Sequence, residues 1–353
     1  MAGRAYRGGV TQRGEQVDQA QTGPDGALTG GPRVEISGDL PAVDLAAVAM
    51  LTEAATEADG VRPLSEHVSL HLRYGGEGPD RHILLLLPPD SADGLGLTTA
   101  TGDLVVGYAH LDPTDVVAGP AAELVVHPAF RGRGFGRLLV EAADQLTTDG
   151  RLRLRAHGDH TAARRLAEAM GFRVVRRLEQ LRRSLYSPLP GRHLPEGVRL
   201  RAFRPGEDDA AWLRLNARAF AGHPEQGNWT ERDLSARMKE SWFAPDGFLI
   251  AEEDRPDGPQ MVAFHWTKIH GADSDHTHGH EPIGEVYVVG VDPDHQGRGL
   301  GRSITLAGLR WLRARGLPQA MLYVEADNGP ALAVYRSLGF THWDTDVMFY
   351  RGR

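Results

Sequence analysis

One short motif is spelled twice in this chain, about 165 residues apart, and that repetition constrains the fold more than any other feature. The first copy reads Glu123-Leu124-Val125-Val126-His127-Pro128, followed by Arg131-Gly132-Arg133-Gly134-Phe135-Gly136. The second reads Val288-Val289-Gly290-Val291-Asp292-Pro293, followed by Gln296-Gly297-Arg298-Gly299-Leu300-Gly301. Each is a β-rich run, a glycine turn and a helix-forming segment. Self-similarity at this period marks a duplicated unit. A length of 353 residues leaves room for two domains, each able to bury a core of its own.

The flanking pattern is that of an α/β (α+β) unit occurring twice. Residues 1–32 hold hardly any large apolar side chain and are expected to be a disordered tail, because burial there cannot offset the entropy of ordering. Apolar periodicity predicts a helix over 45–58, strands over 83–87, 104–108 and 124–127, a helix over 136–146, a strand over 152–154, a helix over 161–170 and a final strand region ending near 185. Ser187-Pro188-Leu189-Pro190-Gly191 then reads as a linker, placing the domains at 33–186 and 187–353. The second half repeats the order, with helices over 207–220, 301–315 and 330–338 among strands over 248–251, 261–268, 285–291, 320–324 and 343–350.

Composition removes several classes of function. A formal charge of −8 argues against a general nucleic-acid binder. With no cysteine, disulfides, thiolate metal sites and a cysteine nucleophile are excluded. No apolar run approaches the ~20 residues of a membrane span, and the first residues lack the pattern of a signal peptide. A cytoplasmic, monomeric protein with no membrane partner is therefore expected. His276, His278 and His280, beside His270, form a polar insertion whose alternating spacing is poor for metal binding, so no metal is expected.

A strand that runs into Arg/Gln-x-x-Gly-x-Gly at a helix start turns successive backbone N–H groups toward one point, where the helix dipole also favours an anion. The ending differs from the Gly-Lys-Ser/Thr of a nucleotide P-loop, and the spacing differs from the Gly-x-Gly-x-x-Gly of a dinucleotide fold. This spelling resembles the acetyl-CoA pyrophosphate loop of the GNAT acetyltransferase superfamily. Downstream, Asp327-Asn328-Gly329-Pro330 and Ala333-Val334-Tyr335-Arg336-Ser337-Leu338-Gly339-Phe340 resemble that family's Asn…Tyr…Gly-Phe segment. The resemblance covers both halves and implies tandem GNAT domains, each a mixed twisted sheet flanked by helices. Acetyl-CoA would then lie on Val289, Gly290 and Val291, on Gln296, Gly297, Arg298, Gly299, Leu300, Gly301 and Arg302, and on Asn328, Gly329, Pro330, Ala331, Leu332 and Ala333. A second molecule could lie on Leu124, Val125, Val126, Gly132, Arg133, Gly134, Phe135, Gly136 and Arg137.

Amine attack on a thioester needs a base for the ammonium proton and an acid for the departing thiolate. The resemblance places Glu285 and Tyr335 in these roles, with Glu285 three to five residues from the expected bulge. Counting back from the matching motifs, the first copy has Pro120 at the position of Glu285, Ala167 at that of Tyr335 and His160 at that of Asn328. The C-terminal domain is therefore expected to be catalytic and the N-terminal one to bind or brace. Polar segments at 220–229, 264–268 and 321–325, combined with the tandem arrangement, resemble GNAT enzymes that acetylate the cysteinyl amine of cysteinyl-glucosaminyl-inositol. That implies a small pseudo-disaccharide acceptor lined by Glu66, Glu225, Lys268, Glu285 and Tyr323, with Glu66 reaching across from the first domain. A protein N-terminus or an aminoglycoside as acceptor, and a non-catalytic acyl-CoA-sensing module, are the alternatives.

Overall fold

The computed structural model describes residues 31–75, 78–89, 97–115, 118–191, 193–271 and 282–352. Residues 1–30 of the expected tail and the polar segment 273–280 lie outside these residues. Two compact units emerge: unit 1 takes the chain up to Val175 and again from Val347 onward, and unit 2 takes Arg176–Asp346.

Unit 1 runs β1 (Arg33–Ser37), α1 (Ala42–Asp59), α2 (Glu66–Tyr74), β2 (Arg81–Leu87), β3 (Leu104–Asp112), β4 (Ala121–Val126), α3 (Phe135–Gln145), β5 (Leu152–Ala156) and α4 (Thr161–Ala169), then enters β6 (Arg173–Ser184). Neighbouring strands pair antiparallel from β1 to β4, and β4 pairs parallel with β5. The leucine run of β2 is buried at every residue but the first, as a strand covered on both faces must be. Val48, Leu51 and Ala55 of α1 recur at helical spacing and join Leu84, Val106, Leu139 and Val140 in one core. The hydroxyl of Ser65 caps α2 by accepting from the Val68 N–H.

Unit 2 continues with the rest of β6, then β7 (Val198–Ala202), α5 (Asp209–Ala219), the single turn α6 (Pro224–Gly227), α7 (Glu231–Met238), β8 (Phe248–Glu253), β9 (Gln260–His270), β10 (Ile283–Val291), α8 (Leu300–Ala314), β11 (Gln319–Glu325), α9 (Gly329–Ser337) and most of β12 (Thr341–Arg351). Its core beneath α5 is aromatic. Trp266 stacks on Phe248 with centroids 4.3 Å apart, and Trp212 meets both edge-on. Among the described residues, no helix is long and apolar enough to cross a membrane.

The division differs from a cut at 186/187 because the final strand of each half completes the sheet of the other unit. Residues 178–184 of β6 pair antiparallel with β11, and Val347–Arg351 of β12 pair antiparallel with β5. Val347 and Phe349 are buried in the core of unit 1, while Leu181 and Leu185 are buried in that of unit 2. Leu178 to Ser184 are β-forming in either place, so local propensity does not choose the partner; a ladder of hydrogen bonds to a distant strand does.

Phe349→Ala should destabilise unit 1 by about 3–5 kcal/mol, the usual cost of emptying a buried aromatic site. Denaturant unfolding of wild type and variant measures it, and a loss below about 1 kcal/mol would remove β12 from that core.

Candidate active site

The site grows from the point where two parallel strands part. β10 pairs with β11 only at Ile283, Gly284 and Glu285, and the remainder of β10 stays paired with β9 alone. The β9 register slips between Val286 and Val288, so the bulge centres on Tyr287, two residues past Glu285 rather than three to five. A bulge of this kind frees backbone groups from the ladder and turns the strand. β4 likewise leaves β5 after three pairs, the last being Glu123 with Arg155.

Beyond the parting, Asp292 and Pro293 lead into the glycine turn and α8. Gly297 and Gly299 have φ of 76° and 74°, in the left-handed region that disfavours any side chain. A Cβ built on either would meet nothing within 4 Å, so the turn stands open in front of the helix N-terminus. The first N–H groups of α8 have no partner within the helix. Arg298 is tied to Glu253 at 3.0 Å, leaving backbone rather than guanidinium to face an anion there. In unit 1, Gly132 and Gly134 adopt the same conformation with the same open space. The neighbouring Arg131 is held by both oxygens of Asp59, and Arg133 lies over Phe130.

Several residues matched to the cofactor loop turn their side chains inward. Val125, Phe135, Leu300 and Leu332 are buried, so they can offer a ligand only their backbone. Gly290 has a packing reason of its own, since a Cβ there would lie 2.4 Å from the Phe264 ring. Asn328 caps α9, its side-chain oxygen accepting from the Ala331 N–H. His160 occupies the matching N-cap of α4 without a side-chain bond, and Ala167, at the position of Tyr335, is buried in the core.

Glu285 is 7 % exposed. Burial pushes its carboxyl up, but the bond it accepts from His270 Nε2 at 2.6 Å, the His270 charge and Lys268 outweigh burial and hold it below the usual range. Lys268 stands opposite Glu285 in the β9–β10 register and is itself buried. Its ammonium lies 4.6 Å from the Trp242 ring centroid and 5.2 Å from that of Tyr287, within cation–π range. Arg237 sits over Trp229 and donates to the Tyr287 hydroxyl at 2.7 Å. Tyr323 receives a bond from Gln180 at 2.6 Å, and burial, then the nearby Glu285 charge, raise its pKa. Tyr335 packs edge-on against Phe340, and burial pushes its hydroxyl up to about 12.

The structure thus gathers Glu285, Lys268 and Tyr323 in unit 2, with Tyr335 on α9. Glu66 belongs to unit 1, where it fills the first turn of α2, a favourable place for a carboxylate beside the helix dipole. Glu225 lies on α6, and its side chain is outside the described residues. Sequence reasoning passed over Trp229, Arg237, Trp242 and Tyr287, and it read His270 only as a neighbour of the polar insertion. The aromatic share of 220–242 was the available signal.

The comparison of the two copies also changes. β4 has no bulge in its β3 register, and there Ala121 stands where Glu285 does, with Pro120 outside the strand. Unit 1 nevertheless buries a carboxylate, Glu123, where its strands part. That carboxylate accepts from the Ser65 N–H at 2.6 Å and lies 3.4 Å from both Arg155 and His157. Burial opposes ionisation, but the His157 bond, Arg155 and the Ser65 bond together hold Glu123 far below the usual range.

With this geometry in place, comparison with known proteins is decisive. Residues 211–340 match the Acetyltransferase (GNAT) family, and residues 96–174 match an Acetyltransferase (GNAT) domain. The chain belongs to the GNAT acetyltransferase family. It is 53 % identical to a mycothiol acetyltransferase of Acidothermus cellulolyticus, over 91 % of this chain and 95 % of that one. It is 52 % identical to a mycothiol acetyltransferase of Streptosporangium roseum, over 90 % and 98 %. Its fold is similar to that of a tandem GNAT protein from the clavulanic acid biosynthesis pathway, with a TM-score of 0.64 at 18 % identity, over 91 % and 98 % of the two chains.

A depressed carboxyl stabilises the fold above its unfolded pKa, and that contribution is lost as pH falls through the folded value. Glu285 should therefore stay ionised below pH 4.5, its ordinary value. His270→Ala removes the strongest opposing partner, so burial takes over and the midpoint rises. Carboxyl carbon NMR titration reads both forms; an equal midpoint in the two would detach His270 from Glu285.

Proposed function

We propose that this chain is an acetyl-CoA-dependent N-acetyltransferase that acetylates the cysteinyl amine of cysteinyl-glucosaminyl-inositol, the step that completes mycothiol. Unit 2 is the catalytic domain and unit 1 a bracing domain that keeps a CoA-type loop. The observation that carries this reading is the buried, ionised Glu285 at the parting of β10 and β11, in a chain about half identical to mycothiol acetyltransferases along nine-tenths of its length.

The open turn at Gly297 and Gly299, together with the unpaired N–H groups of α8, fits a pyrophosphate. The co-substrate supplies the activated thioester. Glu285, kept ionised by His270 and Lys268, takes the ammonium proton of the acceptor directly or through one water. His270, part-exposed, holds the carboxylate in place through its Nε2 bond, and the proton leaves Glu285 for solvent when the product departs. The amine then bonds to the carbonyl carbon as the carbon–sulfur bond breaks, and the second proton that the nitrogen loses restores the Tyr335 hydroxyl. Tyr335 keeps its proton at neutral pH because burial raises its pKa, and it protonates the departing thiolate. Lys268 and Tyr323 hold the hydroxyl groups of the pseudo-disaccharide, while Trp242, Tyr287 and Trp229 form an apolar wall for the faces of its rings.

Glu285→Gln and Tyr335→Phe should each lower kcat by about 100-fold or more, with the KM for acetyl-CoA close to wild type. Turnover near wild type in either variant would take that residue out of the mechanism. Thiol release should be much faster with cysteinyl-glucosaminyl-inositol than with peptide N-termini or aminoglycosides; equal rates across the panel would remove the proposed acceptor. Gly299→Val should abolish turnover, whereas Gly134→Val should leave it within a few-fold, and the reverse result would exchange the roles of the units.

A further inference from the structure

Unit 1 buries a second polar cluster, and acetyl transfer makes no use of it. His82 and His110 face each other across the β2–β3 ladder, and Asp80 stands two residues before His82. His71 of α2 closes over them. Its ring centroid lies 4.9 Å from that of His110 and 5.5 Å from that of His82, and its Nδ1 lies 3.2 Å from Asp80 Oδ2. His82 is fixed from behind by a 2.8 Å bond between its Nδ1 and the Tyr108 hydroxyl.

Apolar packing does not account for this group. Asp80 is 7 % exposed and His110 1 %, yet Asp80 Oδ1 and His110 Nε2 are both buried without a hydrogen-bond partner. A buried polar atom left unpaired keeps its desolvation cost, so the cluster destabilises unit 1 unless something occupies it. One ligand atom from each of His71, Asp80 and His110 can be chosen so that all three lie within 4.8 Å of one another. A cation placed among them would meet one ligand atom of each of these residues, two of which carry an orphaned atom. We propose that His71, Asp80 and His110 bind a divalent transition metal ion of the Zn²⁺ class, tying α2 to the β2–β3 pair.

Two imidazoles and one carboxylate form a donor set suited to zinc and its neighbours in the transition series, with remaining positions open to water. The site needs no cysteine, of which the chain has none. A cavity of about 130 Å³, lined by Asp39, Leu40, His71, Arg73 and His82, lies beside the cluster and offers the ion a way in. A bridging water is the competing occupant, since a polar cavity of this size can hold one. The role assigned to the metal is structural: it joins elements from separate parts of the sequence.

Cobalt titration of untagged, metal-free protein tests the proposal. One Co²⁺ per chain should bind with the visible bands of a low-coordinate site, and Zn²⁺ should displace it. Asp80→Asn and His110→Ala should each weaken binding by about 100-fold or more. A variant with His276, His278 and His280 all changed to alanine should keep the bands, because those residues lie far from this cluster in the sequence. Wild-type protein provides a reading that needs no variant, for the imidazole nitrogens of His71 and His110 should shift in NMR spectra on adding Zn²⁺. Absent bands, bands that survive in both Asp80→Asn and His110→Ala, bands lost with His276, His278 and His280, or unmoved His71 and His110 signals would each overturn the site and leave water as the occupant.

Discussion

The candidate active site depends on a short parallel ladder that stops. β10 and β11 share three residue pairs and then diverge, and the last of those pairs contains Glu285. While the strands remain paired, their backbone groups are spent on one another. Once they part, β10 has donors and acceptors on one side that no strand takes up, with a glycine turn and a helix N-terminus directly ahead. The bulge at Tyr287 sits inside this stretch and sets the aromatic side chain against Trp242 and Lys268. The open glycine turn and the buried carboxylate both sit at one interruption in the sheet.

Unit 1 repeats the interruption and closes it with its own atoms. Glu123 lies at the last parallel pair, but the Ser65 N–H, Arg155 and His157 surround its carboxylate. Those three partners hold the Glu123 carboxyl far below its usual range. Glu285 has His270 as its hydrogen-bonded partner, and His270 is part-exposed. Duplicated strands therefore place their carboxylates among different partners. A missing bulge in β4 also explains why counting along the sequence reached Pro120 where the register places Ala121, two residues short of Glu123.

Much of the architecture was legible in the residues. The leucine run of β2, the helical spacing of α1 and α3, and the two glycine turns announced their elements, since periodicity and positive φ are local properties. Glu285, Lys268, Tyr323 and Tyr335 came from matching motifs, and the first three now stand within one region of unit 2. The short helices α2, α6 and α7 were less visible. α7 is polar along much of its length and is defined by a capping box between Thr230 and Asp233 more than by an apolar stripe. Arg237, Trp242 and Tyr287 come from separate elements, and no spacing rule links a helix, a loop and a bulge.

By itself the sequence determined the repeat, the order of strands and helices, the glycine turns and the types of residue available for proton transfer, because these follow from steric limits and periodicity along a single stretch of chain. Only the tertiary structure decided which strand completes which sheet, that Glu123 is held by Ser65, Arg155 and His157 while Glu285 is held by His270, and that Lys268 is buried between aromatic rings. Those outcomes rest on contacts between residues far apart in the chain, where burial and hydrogen-bond partners, rather than local propensity, set the charge and the accessibility of each group.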